Sequence, residues 1–389
     1  MPQPVYIQIA KGKGGVVFVL LHAFRLRIFD NFDAQKTTFR THSGFGTTIE
    51  EDLSHRDFTV NAMAYDVAQK RLMDPFKGIS DIKGKVIRAV LNPQARFQED
   101  PLRMMRGIRL SLELEYSIEH ATLMAIQSMA GSIEKVAAER IRDELLRIVT
   151  AGKPSAGFSL MRKTGLLRAI LPELVEGYRK RQNGFHRYTI YRHIMETLDS
   201  VEDDPVLRLA ALFHDIAKPR TRTKVNERWR FFGHAAASAA LAGEIMMRLR
   251  LSREMIMRVT ALIANHMFDY RKEPSEKAVR RLIRRVGAEN IDGLIKLRRA
   301  DDLAHGRGRD FEKDIDAFKA RVEAVLHQSP PLTVADLAVT GYDVMRVAGL
   351  KPGPMVGRVL KGLLDEVTDR PELNQKDTLI EMIRYKRLK

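Results

Sequence analysis

The sequence predicts an α+β chain, with a small mixed α/β segment at the N-terminus and a long, mostly helical remainder. Three observations lead there. Runs with strand character cluster before Arg40: Val16–Leu21 is continuously apolar, Phe24–Phe29 alternates, and Thr37–Arg40 is β-branched and aromatic. Asp100 and Pro101 then open a segment with helical spacing. From there to the C-terminus apolar residues recur at helical intervals, with no solenoid period and no low-complexity tract. A chain of 389 residues is long enough for two or three domains with cores of their own.

Composition narrows the partners. The formal net charge is +17 and the pI about 10.0, which favours a polyanion, nucleic acid first and an anionic membrane surface second. No run of about 18 apolar residues is present, so no membrane span is expected, and Val16–Leu21 is short and lacks the small-residue cleavage pattern of a signal peptide. Zero cysteines exclude disulfides and thiolate metal sites, leaving histidine and carboxylate for any metal. A reducing, cytoplasmic location is the plain expectation.

In the segment Arg96-Phe97-Gln98-Glu99-Asp100-Pro101-Leu102-Arg103-Met104-Met105-Arg106-Gly107-Ile108-Arg109, Pro101 suits a first helical turn because its missing N–H is not needed there. Arg103, Arg106 and Arg109 follow at steps of three, each step turning about 60° around the helix. Leu102, Met105 and Ile108 form a separate apolar ladder that faces a core. Arginines on one broad side could grip phosphates or base edges. The spacing alone fits a capped helix with a solvated basic face better.

Upstream stand Glu50–Asp66, with Asp52-Leu53-Ser54-His55-Arg56-Asp57-Phe58-Thr59 and Asn61-Ala62, then Asp74-Pro75-Phe76-Lys77-Gly78 and Ile87–Val90. With the Arg96–Arg109 segment, these resemble the class II tRNA nucleotidyltransferase and poly(A) polymerase family, which includes CCA-adding enzymes. The resemblance implies nucleotidyl transfer to a tRNA 3′ end, CTP and ATP as substrates, and two Mg²⁺ ions. It places Arg56 against the triphosphate and has Asp100 and Arg103 present hydrogen-bonding edges to the base. The resemblance also implies that Arg106 and Arg109 belong to the same nucleotide site.

The N-terminal stretch departs from the family pattern. A GG-x-VRD loop and a D-x-D metal strand are expected, yet Gly14-Gly15 is followed by apolar residues, and Asp30 and Asp33 are three apart. Residues two apart share a face of a strand and residues three apart do not, so this pair cannot hold one metal pair in regular β geometry. Gln35 stands where a glutamate is expected, and His55 where the family often has arginine. The head therefore reads as a truncated or altered remnant, and polymerisation by this chain is expected to be impaired.

Beyond it, Glu139–Ile148 reads as an amphipathic helix ending near Gly152 and Pro154, and Gly157–Leu174 resembles the family's neck. A polar, basic link at Gly177–Gly184 is the best boundary. His193, the pair His214-Asp215, His234, His266 and Asp301 follow. Imidazoles and carboxylates projected from several helices suit a divalent first-row metal. This set resembles an HD metal-dependent phosphohydrolase domain, which implies His193, His214, Asp215 and Asp301 as ligands, with His234 and His266 as weaker candidates.

Lys277–Val286 is a helix with Lys277, Arg280, Arg281, Arg284 and Arg285 on one side, an expected track for RNA phosphates. In the tail, Pro354 opens a helix whose Met355, Val359, Leu363 and Val367 form one apolar stripe, read as core. The expected division is a head over 1–92, a neck over 93–178, an HD domain over 179–310 and a tRNA-binding tail over 311–389. Two other functions compete with nucleotidyl transfer: a metal-dependent phosphohydrolase, and a non-catalytic tRNA-binding remnant.

Overall fold

The computed structural model describes residues 48–66, 68–182, 187–271, 274–306 and 311–386, with the backbone of three strands at 7–11, 17–21 and 39–42. The alternating run Phe24–Phe29, Gly14-Gly15, Asp30, Asp33 and Gln35 lie outside the described residues. Two compact units emerge.

The first unit comprises Met1–Lys180 with Glu202–Arg208 and Glu244–Ser252. Its sheet has β1 (Ile7–Lys11), β2 (Val17–Leu21), β3 (Phe39–His42), β4 (Met63–Asp66) and β5 (Arg71–Met73) in the order β3-β1-β2-β4-β5. Only β1 and β3 pair in parallel. Of the apolar run, Val17–Leu21 is thus a strand, and of the strand expected from Thr37 onward, Phe39–His42 is β3.

Helix α1 (Ile49–Ser54) starts at a capping box in which Thr48 Oγ1 accepts from Glu51 N–H and Glu51 Oε2 accepts from Thr48 N–H. After α2 (Gly78–Gly84), β6 (Val86–Ile87) and α3 (Pro93–Glu99), the chain breaks at Asp100. Pro101 disfavours helical backbone at the residue before it, and Asp100 is accordingly extended, at φ −145° and ψ 99°. Helix α4 (Leu102–Leu114) begins beyond this break, with Pro101 before it already at helical φ −61° and ψ −21°, as a first-turn proline should be. Asp100 Oδ1 accepts from Leu102 N–H, which satisfies one of the helix's free donors.

Leu102, Met104, Met105 and Ile108 are buried, as the apolar ladder predicts. Gly107 permits the approach of Phe58: a Cβ there would stand 2.8 Å from Phe58 Cζ. Strand β7 (Ser117–Ile118) pairs with β6, and α5 (His120–Met129), α6 (Ala138–Val149), α7 (Pro154–Thr164), α8 (Leu166–Ile170) and α9 (Pro172–Val175) follow.

The second unit comprises Arg181–Val201, Leu209–Gly243 and Arg253–Lys389. Along this part of the chain run α10 (Ile190–Ser200), α11 (Pro205–Phe213), the hairpin β8 (Arg222–Val225) and β9 (Arg228–Phe231), α12 (His234–Arg248) and α13 (Arg253–Asn265). Then come α14 (Glu276–Val286), α15 (Ile291–Ala304), α16 (Glu312–His327), α17 (Gly341–Ala348), α18 (Pro354–Asp369) and α19 (Lys376–Lys386). Leu363 and Val367 of α18 are fully buried, with Val344, Leu360 and Leu379 around them, while Met355 is 45% exposed and lies off the core end of that stripe. No described helix is long and apolar enough to cross a membrane.

Candidate nucleotide site and histidine–aspartate centre

In the first unit, arginines from α3 and α4 clasp the loop that follows α1. Arg96 donates to Ser54 O at 2.9 Å and to Glu99 Oε1 at 2.5 Å. Arg103 donates to His55 O at 2.7 Å and to Glu99 Oε2 at 3.1 Å. Arg106 pairs with Asp57 Oδ2 at 2.7 Å, and Asp57 Oδ1 accepts from Phe58 N–H. Arg56 reaches back to Asp52 Oδ2 at 2.8 Å. Asp100 receives two guanidinium N–H groups from Arg140 of α6, at 2.8 and 3.3 Å. A bidentate fork fixes the plane of a carboxylate as well as its position.

Arg109 goes elsewhere. It is buried and donates to Glu144 Oε2 and Glu113 Oε2, each at 2.7 Å. Two steps of three residues turn about 120° around a helix, which carries Arg109 off the side held by Arg103. Burial by itself depresses its pKa, but the charges of Glu144 and Glu113 outweigh that and raise it. The structure thus gathers Arg56, Arg103 and Arg106 around the His55–Asp57 loop and leaves Arg109 as a strut between α4 and α6. Asp100, Arg96, Glu99 and Arg140 complete the arrangement. No spacing in the sequence links Asp100 to Arg140, forty residues on, so that partner was invisible there.

The second unit brings all six histidine and aspartate candidates together. His193, His214, Asp215 and Asp301 offer ligand atoms within 4.8 Å of one another, and Asp215, His234 and His266 form a second such group. His193 Nε2 lies 2.9 Å from Asp301 Oδ1 and 3.3 Å from Asp215 Oδ2. Each imidazole turns its other nitrogen to a backbone carbonyl. His193 Nδ1 faces Ala304 O at 3.3 Å, His214 Nδ1 faces Ala211 O at 2.8 Å, His234 Nδ1 faces Phe231 O at 2.8 Å and His266 Nδ1 faces Ile263 O at 2.7 Å. A carbonyl can only accept, so Nδ1 carries a proton in each ring; at His193 and His214 the Nε2 atom also faces a carboxylate, whereas at His234 and His266 it is left with a lone pair aimed inward.

The buried Nε2 atoms of His234 and His266 have no hydrogen-bond partner. Buried polar atoms are rarely left so unless an ion or water completes them. Asp215 Oδ1, at 3.5 and 3.9 Å from these two nitrogens, faces the same space. The donor set of nitrogen and carboxylate oxygen therefore fits a divalent transition metal.

The electrostatics follow from burial and from the two carboxylates. Burial would lower the pKa of His214, but Asp215 and Asp301 push it up to about 10. Burial and the neighbouring His214 charge press His266 down to about 3, and burial also lowers His234. Asp215 and Asp301 sit well below the usual carboxylate range: His214 and Lys218 overcome burial at Asp215, and His193, His214 and Arg298 do so at Asp301. Lys218 Nζ lies 2.5 Å from Asp215 Oδ2 and donates to Gln182 Oε1 at 3.0 Å. Arg298 donates to Asp301 Oδ2 at 2.8 Å. The sequence reading missed both cations, although Lys218 stands three residues after Asp215 and Arg298 three before Asp301.

Four of the five residues of the expected basic track on α14 have partners within the second unit. Arg280 is buried, donating to Thr368 O at 2.8 Å and Asp369 O at 3.1 Å. Arg281 forks onto Asp369, Lys277 pairs with the same carboxylate at 2.9 Å, and Arg284 reaches Asp365 at 2.6 Å. Asp365 and Asp369 of α18, some eighty residues away, take the charges of Lys277, Arg281 and Arg284. Arg285 alone is left exposed without a partner among the described residues.

The chain matches the poly A polymerase head domain over residues 10–88, the probable RNA and SrmB-binding site of polymerase A over residues 115–177, and tRNA nucleotidyltransferase domain 2 over residues 220–383. It is 34% identical over 331 residues to the A-adding tRNA nucleotidyltransferase of Deinococcus radiodurans, covering 82% of this chain and 75% of that protein. The chain belongs to the class II tRNA nucleotidyltransferase and poly(A) polymerase family. Within that family it is also 33% identical to the CC-adding tRNA nucleotidyltransferase of Thermus thermophilus, over 82% of this chain and 73% of the relative. The crystal structure of the Bacillus stearothermophilus CCA-adding enzyme in complex with CTP shares the fold, with a TM-score of 0.61 at 22% identity over 97% of this chain and 82% of that one.

Proposed function

We propose that this chain transfers CMP, AMP or both to the 3′ end of tRNA, reading the incoming base with Asp100 and Arg103. The observation that carries the reading is the identity with the A-adding and CC-adding relatives over four-fifths of the chain. The base chemistry supports it. Cytosine and adenine each offer an exocyclic amino donor beside a ring-nitrogen acceptor, whereas uracil and guanine put a carbonyl where the amino group stands. A carboxylate that accepts beside a guanidinium that donates matches the first pair and repels the second.

Arg103 is already oriented by Glu99 and His55 O, and Asp100 by Arg140, so neither needs to be ordered when nucleotide binds. The Arg140–Asp100 pair is partly exposed, and a base edge can displace it at little cost. Arg56 is the candidate triphosphate ligand, with Arg106 holding Asp57 behind it. The proposed division remains head, neck, HD domain and tail.

Metal ions at such a site lower the charge on the reacting phosphoryl oxygens. The acids nearest the required spacing, Asp30 and Asp33, are three apart, so the inferred rate for this chain is low. Calorimetric titration with CTP, ATP, UTP and GTP in turn, with tRNA lacking its terminal CCA present, tests base reading. Binding of CTP or ATP above the other two, weakened by Arg103→Ala, is expected. Equal binding of all four, or of none, overturns it.

A second reading, metal-dependent phosphohydrolysis in an HD domain, is favoured by the four imidazoles whose Nε2 atoms converge. One ion would be held by His193, His214, Asp215 and Asp301, and a second by Asp215, His234 and His266. Such ions polarise a phosphoryl oxygen and acidify bound water. Lys218 and Arg298 neutralise the carboxylates and fix their orientation. Metal analysis with hydrolysis of a 2′,3′-cyclic nucleotide decides this reading. Negative results here and in nucleotide incorporation would leave a tRNA-binding remnant.

A further inference from the structure

The β8–β9 hairpin is not explained by the sites above. Its ladder pairs Arg222 with Phe231, Thr223 with Arg230, Lys224 with Trp229 and Val225 with Arg228. Residues opposite one another share a face, so Arg222, Lys224, Trp229 and Phe231 lie on one side, and Thr223, Val225, Arg228 and Arg230 on the other. The second face is exposed at all four positions. Arg228 and Arg230 make no ion pair among the described residues.

Four basic side chains in this hairpin meet a single acid, Glu227, which Lys224 takes at the turn. The turn residues Asn226 and Glu227 both have positive φ, at 47° and 59°, the geometry of a tight two-residue hairpin loop. On the first face the Arg222 guanidinium lies 3.5 Å from the centroid of the Trp229 ring. Phe232, just past β9, is 71% exposed.

A two-stranded hairpin is marginal by itself, and it gains nothing from unpaired arginines and a bare phenylalanine. Unpaired guanidinia beside an exposed aromatic ring suit a strand of phosphates with unstacked bases. The hairpin also leads into the histidine–aspartate centre. Phe231 O accepts from His234 Nδ1, and Lys218 Nζ stands 5.6 Å from the Phe231 ring centroid.

The geometry points to the β8–β9 hairpin as a binding surface for single-stranded RNA, with Arg228 and Arg230 on phosphates and Phe232 stacked on a base, guiding the strand toward the histidine–aspartate centre. The choice of RNA among polyanions rests on the proposed tRNA function.

The test is fluorescence anisotropy of the full-length chain with labelled single-stranded oligouridylate across a range of salt. Arg228→Gln with Arg230→Gln should lower the slope of log K against log salt by about 1.4, the loss of two phosphate contacts on a single strand. Phe232→Ala should weaken binding about 5- to 150-fold, the loss of one stacked base. These side chains are exposed, and unchanged Trp229 fluorescence checks that the hairpin stays folded. Unchanged slope and affinity in both variants would overturn the proposal. So would equal or tighter binding to duplex RNA, phosphatidylserine vesicles or polyglutamate. CTP binding measured on the same proteins separates the two readings: its absence in the parent sinks base reading at α4 and leaves the hairpin result standing.

Discussion

Arg109 and Arg103 stand six residues apart on one helix, and the structure gives them opposite fates. The Arg109 side chain is 9% exposed and Glu144 11%, so Arg109→Met strands a buried carboxylate, a loss of about 3–5 kcal/mol. Glu144→Leu leaves Arg109 with Glu113 and should cost less. Arg109→Met with Glu144→Leu removes both charges and should recover much of the loss, since apolar replacement of a buried pair is often neutral. The chain has two compact units and its single tryptophan, Trp229, lies in the second, so fluorescence would report the wrong one. Hydrogen exchange of α4 and α6 amides is the suitable assay. Arg109→Met should speed it by on the order of a hundred- to a few-thousand-fold. Once folded, Arg109→Met should keep the parent's CTP affinity, while Arg103→Ala should lose about 1–3 kcal/mol of it. Exchange unchanged by Arg109→Met, or a CTP loss matching that of Arg103→Ala, would refute the division between strut and reader.

Gly107→Ala should destabilise the first unit by about 1–3 kcal/mol, because the new Cβ would meet Phe58 at 2.8 Å in a packed core; exchange at α4 measures it. Arg280→Met should loosen α14 from α18, at about 1–3 kcal/mol for the carbonyls left unpaired, with no change in the salt dependence of tRNA binding. A changed salt slope would return Arg280 to an RNA surface. Metal binding at the histidine–aspartate centre should release protons. His214 is pushed up to about 10, so it is protonated at neutral pH without metal, and an incoming cation must expel that proton. Manganese affinity should therefore rise with pH up to about that value. Calorimetry in buffers of different ionisation enthalpy checks this, and binding without proton release would contradict it.

The sequence was most legible where chemistry is local or repeats at a fixed interval. Asp100 before Pro101, the Leu102–Met105–Ile108 ladder and the histidine set could be read directly, and the structure brings that set into one centre. Long-range pairing was not legible. Steps of three read as one broad side, but the accumulated rotation is enough to bury Arg109 against α6. On α14 the sequence showed five basic residues as one phosphate track, because Asp365 and Asp369, which take Lys277, Arg281 and Arg284, lie some eighty positions away. The break between α3 and α4 was implicit in Pro101, whose effect on Asp100 is local and was read only as a cap.

Extension of a tRNA lacking its terminal CCA, with magnesium or manganese and labelled CTP and ATP, bears most directly on the proposed activity. C or A additions alone, accumulating well below the rate of the Deinococcus radiodurans relative and lost in Arg103→Ala, are predicted. Incorporation at that relative's rate, abolished by Asp30→Ala or Asp33→Ala, would contradict the inferred weakness of the metal site. Additions of all four nucleotides would contradict base reading by Asp100 and Arg103.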